Sequence, residues 1–480
     1  MKEHTARLCA MALMAAGLTA CASPRQSSPA AETPVPASSQ SEEPVTLTVY
    51  LESVYTEEGT HYPIYEKLRA FDDAHPGIRL EYVSPVGGAT DPAARETQIQ
   101  QLNTEIITGG GPDVFLMATL RFTDSNLFPD IQKAMQNDSF LDLSEYAGTN
   151  GFDGGSCYPA ILEAGQREGH QYILPLSFSV PLFAAAEPVV ERLGFQADAA
   201  AADQPAFFGE LSRVLQENGS QVAYSLSLTN LLEQPLMDYT QGTVQLDTEP
   251  VRQALTIEKE YIANQLHFFD NYSPDQVDAL AEGTPAGVVE MSDLALGTLH
   301  SLEGKGVPVF LQGIPNESGG ITAEITSYAM AGANTEHPEQ CAELLYYLLS
   351  AECQDAAAYP CTTEELPVRR DSMQSSLEKE HSFLIDDASR ETLTDENRAL
   401  RQKAYGGNLQ DSTIDKLRAV CDGVTAAHFH TIWYNALQLG QDENGDDVLT
   451  GAMNSYLYGD TSLDDLIRAL TPRLQMYLDE

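Results

Sequence analysis

Residues 46–117 switch repeatedly between two periodicities, and that switching constrains the fold more than any other feature of the chain. Residues 46–51 (TLTVYL) are β-branched and alternating, the pattern of a strand. Residues 61–74 carry Ile64, Leu68 and Phe71 at helical spacing and stop short of Pro76, which would end a helix. Residues 78–83 (IRLEYV) read as a second strand and residues 93–108 as a second helix, released by Gly109, Gly110 and Gly111. Residues 114–117 (VFLM) are apolar throughout, as a parallel strand covered on both faces requires. Strand, helix, strand, helix, strand implies an α/β sheet built by crossover units.

The pattern resumes further along. Residues 172–174, 182–186, 286–290, 307–313 and 325–331 are strand-like, with helical spacing at 207–216 and 294–302. From Pro338 onward the chain reads as mostly helical, at 339–350, 412–421, 426–439 and 462–478. No internal repeat of fixed period is present. A chain of 480 residues exceeds what one core usually holds, so two domains or lobes are expected.

The first 44 residues lie outside this pattern. Lys2 and Arg7 precede an apolar or small run at 8–20. About 13 residues are too few to cross the ~30 Å core of a bilayer as a helix, but they suit the centre of a signal peptide. The run closes with Leu18-Thr19-Ala20-Cys21, which resembles a bacterial lipobox. That resemblance implies a signal peptide at 1–20, cleavage before Cys21, and a diacylglycerol thioether on Cys21. Two acyl chains suffice for stable anchoring at the outer face of the cell membrane. Residues 22–44 are rich in Ser, Pro and Ala without apolar period, so residues 21–44 are expected to form a solvated, lipidated tether. At ~3.1 Å per residue its reach is on the order of 70 Å. The lipid anchor is then the expected membrane attachment, because no later run reaches the ~18 apolar residues a spanning helix needs.

Charge narrows the partners. Lys and Arg total 26 against 71 Asp and Glu, a formal net charge of −45. A field of that sign repels phosphate backbones and anionic headgroups, so nucleic acid is not an expected partner. Of the seven cysteines, Cys9 leaves with the signal and Cys21 carries lipid. Five remain (Cys157, Cys341, Cys353, Cys361 and Cys421), an odd number, and Cys353 and Cys361 are near enough in sequence to close a small loop. No zinc spacing is present: C-x-x-C is lacking, and His428 and His430 have no nearby cysteine. Phosphate-loop, nucleophile-elbow and H-E-x-x-H motifs are lacking too. So acidic a chain leaves a glycosidase-like carboxylate pair open, but no enzyme, metal or cofactor is expected. The acidic run 442–447 (DENGDD) has its Gly445 misplaced for a calcium loop and reads as a solvated turn.

Several blocks together resemble the extracellular solute-binding proteins of ABC importers, in particular the carbohydrate-binding group that includes maltose-binding protein. Gly110-Gly111-Pro112-Asp113-Val114 is similar to the family's G-x-P-D-V element. Gly169-His170-Gln171-Tyr172-Ile173-Leu174-Pro175 is similar to its G-K-x-Y-x-L-P turn, with His170 in place of Lys. The family's Tyr-Asn after the next strand is replaced by Ala185-Ala186. Leu349-Ser350-Ala351-Glu352-Cys353-Gln354, Leu366-Pro367-Val368 and residues 459–468 (GDTSLDDLIR) match later family elements in order. The resemblance spans nearly all of residues 45–480. It implies two α/β lobes in a periplasmic-binding-protein-like fold, an interlobe ligand cleft and a helical C-terminal region. By the family pattern, lobe 1 comprises 45–178 plus 324–368, and lobe 2 comprises 180–322 plus 369–480. The implied partners are a small solute, most simply a sugar, and the transmembrane permease subunits.

In open α/β sheets ligands meet the carboxyl ends of the strands. Sugars ask for flat rings against their C–H faces and for planar acceptors and forked donors at their hydroxyls. The loops at those ends offer Glu52, Tyr55, Arg121, Asp124, Phe178, Ser179, Glu290 and Asp293. Each also has an ordinary alternative, such as a surface loop residue, a surface ion pair, crossover packing or a helix cap. Trp433, the one tryptophan, lies in an aromatic stretch similar to one in maltose-binding protein, which implies stacking on sugar; the alternative is a core or interlobe Trp. Sugar binders of this family often carry several Trp in the cleft. A peptide or another solute, or presentation of ligand to a sensor kinase, therefore stays open beside the sugar importer.

Overall fold

The computed structural model describes residues 44–52, 63–86, 91–118, 127–218, 222–226, 228–263, 289–292, 296–355, 365–385, 407–429 and 448–480, with 395, 399 and 402 singly. Its strands in chain order are β1 Val45–Leu51, β2 Ile78–Val83, β3 Val114–Ala118, β4 Gln166–Arg167, β5 His170–Gln171, β6 Leu174–Ser179, β7 Leu182–Ala186, β8 Val222–Ser225, β9 Met237–Asp238, β10 Thr243–Val244, β11 Val289–Ser292, β12 Val309–Gly313, β13 Ile321–Ala331, β14 Leu366–Pro367 and β15 Val424–Phe429.

The first crossover units form as their periodicities predict. β1 pairs in parallel with β2 and with β3, from Val45 opposite Ile78 and Val49 opposite Val114. The helix Pro63–Ala74 connects β1 and β2 in sequence and buries Ile64, Leu68 and Phe71 completely. Each such side chain contributes about 1.5–3 kcal/mol. All five residues of β3 are buried, the double-sided cover expected of VFLM.

Two sheets result. The larger runs β14-β6-β13-β3-β1-β2, with β15 also pairing to β13. The smaller runs β12-β7-β11-β8. Strand β13 organises the larger one: all eleven of its residues are buried. Its second half pairs antiparallel with β3, its middle with β6, and its first half runs parallel to β15. β6 belongs to the larger sheet and β7 to the smaller, and only Val180 and Pro181 lie between them. The return link, Ile314 to Gly320, joins β12 to β13. Residues 44–480 therefore form one compact unit with two sheets joined at short crossovers.

Three family-like elements have structural jobs. Asp113 closes a loop on β1 through Thr48 N–H, which donates to Oδ2 at 2.9 Å, while Thr335 Oγ1 donates to Oδ1 at 2.7 Å. Glu168 and Gly169 both have positive φ, 54° and 83°, as the two-residue turn joining β4 and β5 requires. Gln354 is buried and donates to the Leu176 carbonyl at 3.1 Å while accepting from Val368 N–H at 2.8 Å. It ties the short edge strand β14 to the sheet.

Some expectations are corrected. Residues 426–429, read as the start of a helix at 426–439, belong instead to β15, because the first half of β13 offers an open edge that a strand satisfies better than a helix. β13 starts at Ile321 instead of residue 325 and so takes in Glu324. The strand read at 172–174 lies at 174–179. β8 and the helices Glu249–Ala263 and Val448–Leu457 add to the sequence-based outline. Cys157, Cys341, Cys353 and Cys421 are free buried thiols, so Cys353 does not close a loop with Cys361; Cys361 itself lies outside the described residues. No helix among the described residues is long and apolar enough to cross a membrane. Cys21 and residues 1–43 lie outside the described residues.

Candidate functional site

The carboxyl ends of the parallel strands in both sheets point to the crossovers. In the larger sheet β1 ends at Leu51, β3 at Ala118 opposite Ser327 in the middle of β13, and β6 at Ser179 opposite Glu324. In the smaller sheet Ser225 of β8 and Ser292 of β11 are paired, and Ser292 lies opposite Leu182, the residue that opens β7. Two sets of strand ends thus converge on the linking segments, which is where a ligand between lobes is held.

At the end of β1, Glu52 is fully buried. Arg95 Nη2 donates to Glu52 Oε1 at 2.7 Å, and Tyr50 Oη donates to Glu52 Oε2 at 3.1 Å. The Glu52 N–H donates to Leu116 O, locking the residue against β3. Arg95 is itself 1% exposed and comes from the helix Pro92–Ile107, capped by Asp91, whose side chain accepts from Ala94 N–H. Burial, with the negative charge of Glu52 beside it, holds the Tyr50 phenol well above its ordinary range.

A buried polar row crosses the strands next to the links. Ser179 of β6, Glu324 of β13 and His428 of β15 stand in register on adjacent strands. All three are buried, and Ser179 Oγ has no hydrogen-bond partner among the described residues. Burial pushes the His428 imidazole below its ordinary value, against the pull of the Leu232 and Glu233 backbone and the charge of Glu324. One step along β6, Ser177 Oγ hydrogen-bonds Thr326 Oγ1 at 2.8 Å and Ser327 Oγ, and donates to Glu365 Oε2 at 3.0 Å. A register shift in β13 around residues 325–327 accompanies Ser177 reaching both hydroxyls.

Of the residues singled out from sequence, Glu52 closes β1, and Phe178 and Ser179 close β6. Three strand spacings separate β1 from β6, roughly 14 Å at about 4.8 Å each. Phe178 is fully buried, edge-on to Tyr158 with ring centroids 5.5 Å apart. Glu290 lies in β11, opposite Ala184 of β7 and Ala223 of β8. Tyr55, Arg121, Asp124, Asp293 and Trp433 lie outside the described residues. Sequence reading placed Ser177 with Phe178 and Ser179 at a strand's carboxyl end, and missed Glu324, His428 and Glu365 as members of the buried polar row. The available signal was a carboxylate inside the β-branched run ITAEIT, which is costly in a buried strand unless partnered.

A separate cavity of about 320 Å³ is lined by Thr46, Gly111, Asp113, Thr335 and His337, among others. It opens at the amino ends of β1 and β3, the end opposite to the carboxyl ends at which open α/β sheets meet their ligands. Among the described residues no cluster of three or more His, Cys, Asp or Glu is placed to hold a metal.

No protein-family model matches the sequence, and no curated protein does. Solved structures do match. An extracellular solute-binding protein family 1 member from Alicyclobacillus acidocaldarius aligns with TM-score 0.53 and 14% identity over 92% of this chain and 100% of its own. The sugar-binding protein MalE from Xanthomonas citri aligns with TM-score 0.56 and 12% identity over 91% and 98%. The galacto-N-biose/lacto-N-biose I-binding protein of an ABC transporter from Bifidobacterium longum, in complex with lacto-N-biose, aligns with TM-score 0.53 and 12% identity over 91% and 98%. At these identities the likeness is one of fold, and nearly the whole of each protein takes part in it. The chain has the two-lobed α/β fold of the family 1 extracellular solute-binding proteins.

Proposed function

We propose that this chain is the extracytoplasmic solute-binding subunit of an ABC importer. It captures a carbohydrate, most simply an oligosaccharide, between two lobes and presents it to a membrane permease. By the family pattern the lobes comprise 45–178 plus 324–368 and 180–322 plus 369–480, with β15 of the second set pairing into the larger sheet. A lipid on Cys21 and the 21–44 tether hold the protein at the outer face of the membrane. The observation that carries the reading is the convergence of the strand carboxyl ends of two sheets on short crossovers, in a fold shared with sugar-binding proteins.

The mechanism follows from that geometry. A solute touching both lobes favours their closed arrangement by no more than its difference in affinity for the two arrangements. Tyr55, Arg121 and Asp124 would supply polar contacts from one lobe and Glu290 and Asp293 from the other, whereas Glu52, buried against Arg95 and Tyr50, holds the end of β1 instead of reaching a solute. Trp433 would supply a stacking face. Ser179 lies at the link itself, with an unsatisfied hydroxyl that a bound hydroxyl or a water would satisfy.

A thermal-shift panel of mono- and oligosaccharides, amino acids, peptides and polyamines tests the substrate. A solute at 100 times its dissociation constant adds about 2.7 kcal/mol of stability. Stabilisation by one sugar class is the expected result. Stabilisation by peptides or amines alone would keep the binding role and overturn the carbohydrate.

A further inference from the structure

The short helix Ile131–Gln136 is tied at its far end to Arg167 of the β4–β5 ribbon and touches distant parts of the chain with its first turn. At its far end Arg167 Nη1 donates to the Met135 carbonyl at 2.5 Å and the Gln136 carbonyl at 3.2 Å. At its start Asp130 is 4% exposed and caps the helix by accepting from Lys133 N–H at 2.9 Å. The other oxygen of Asp130 accepts a hydrogen bond from Tyr239 Oη, 109 positions away. Lys133 Nζ donates to the Tyr477 carbonyl at 2.7 Å and stands 3.9 Å from the centroid of the Tyr477 ring.

The receiving side is also braced. Tyr239 follows β9 in the β9–β10 ribbon, and Gln475 of the last helix donates to Gly242 O at 3.1 Å in the same ribbon. Tyr239 and Tyr477 are thus linked on one side of the contact. On the lobe division proposed above, on which this inference rests, Asp130 and Lys133 belong to one lobe and Tyr239 and Tyr477 to the other.

We propose that Asp130–Tyr239 and Lys133–Tyr477 form a two-point latch between the lobes that holds them together without solute. A buried capped carboxylate bonded to a phenol, and an ammonium over a ring, are stronger than exposed ion pairs. The latch therefore biases the resting arrangement and so sets how much of the protein is ready to bind.

The test is made on the solute-free, full-length chain. Paired nitroxide labels are carried by non-natural amino acids at Ile107 and Tyr458, both largely exposed and one on each proposed lobe. Tyr239→Phe removes the phenol hydroxyl and Lys133→Met removes the ammonium while keeping its stem. The double variant should shift the distance distribution to longer, broader values than wild type, with each single variant between. Circular dichroism and melting confirm the fold, and Tyr239→Phe alone serves if the double variant is unstable. Identical distributions in all folded variants would overturn the latch. That failure differs from failure of the binding reading, which shows as no stabilisation by any solute in the thermal-shift panel.

Discussion

Glu258 shows what a single buried group costs. It lies on the helix Glu249–Ala263, 7% exposed, and its Oε2 has no partner among the described residues. Desolvation pushes its carboxyl up to about 7. The folded protein then holds a proton that the unfolded chain has released, so stability falls as pH rises from the usual carboxylate range through 7. A shift of this size corresponds to about 3 kcal/mol once ionisation is complete. Glu258→Gln should therefore stabilise the protein at pH 8 and have little effect at pH 4, measured by denaturant melts at both values. An equal effect at both would contradict the assignment. Glu52 is the opposite case, a buried carboxylate with a close cation. Arg95→Met strands it, and the expected loss is about 3–5 kcal/mol by denaturant titration. Sequence placed Glu52 correctly at the end of a strand. It could not show the Arg95 bond, because that pairing spans 43 positions and depends on how the helix Pro92–Ile107 lies on the sheet.

At the scale of elements, local pattern carried the first crossover units. Ile64, Leu68 and Phe71 are spaced for one helix face, and VFLM has no polar face to expose. It failed where neighbours decide. Ala426 and Ala427 favour a helix by propensity, yet they lie in β15 because β13 takes them as ladder partners. The short β14 is likewise legible only in hindsight, since two residues make no period. It stays in the sheet through Phe178, Ser177 and the buried amide of Gln354. Gln354→Ala leaves Val368 N–H and the Leu176 carbonyl unpaired in the core. The expected cost is on the order of 2–4 kcal/mol, with early loss of amide-exchange protection around 366–368. Unchanged protection there would show that packing alone holds the edge strand.

For the whole molecule, length anticipated two lobes, and the order of weak motifs anticipated which fold they take. Several of those motifs prove to be structural devices: Asp113 pins a loop, Glu168 and Gly169 turn a hairpin, and Gln354 ties an edge. That is why they signal fold better than ligand. The polar row Ser179–Glu324–His428 was not legible, because it assembles from three strands whose positions span 250 residues. The central claim concerns motion between the lobes, so the most direct measurement is small-angle X-ray scattering of the protein with and without a solute that stabilises it. The account predicts a smaller radius of gyration at saturation, reversed when the solute is removed. An unchanged scattering curve at saturating solute would contradict closure of the two lobes around it.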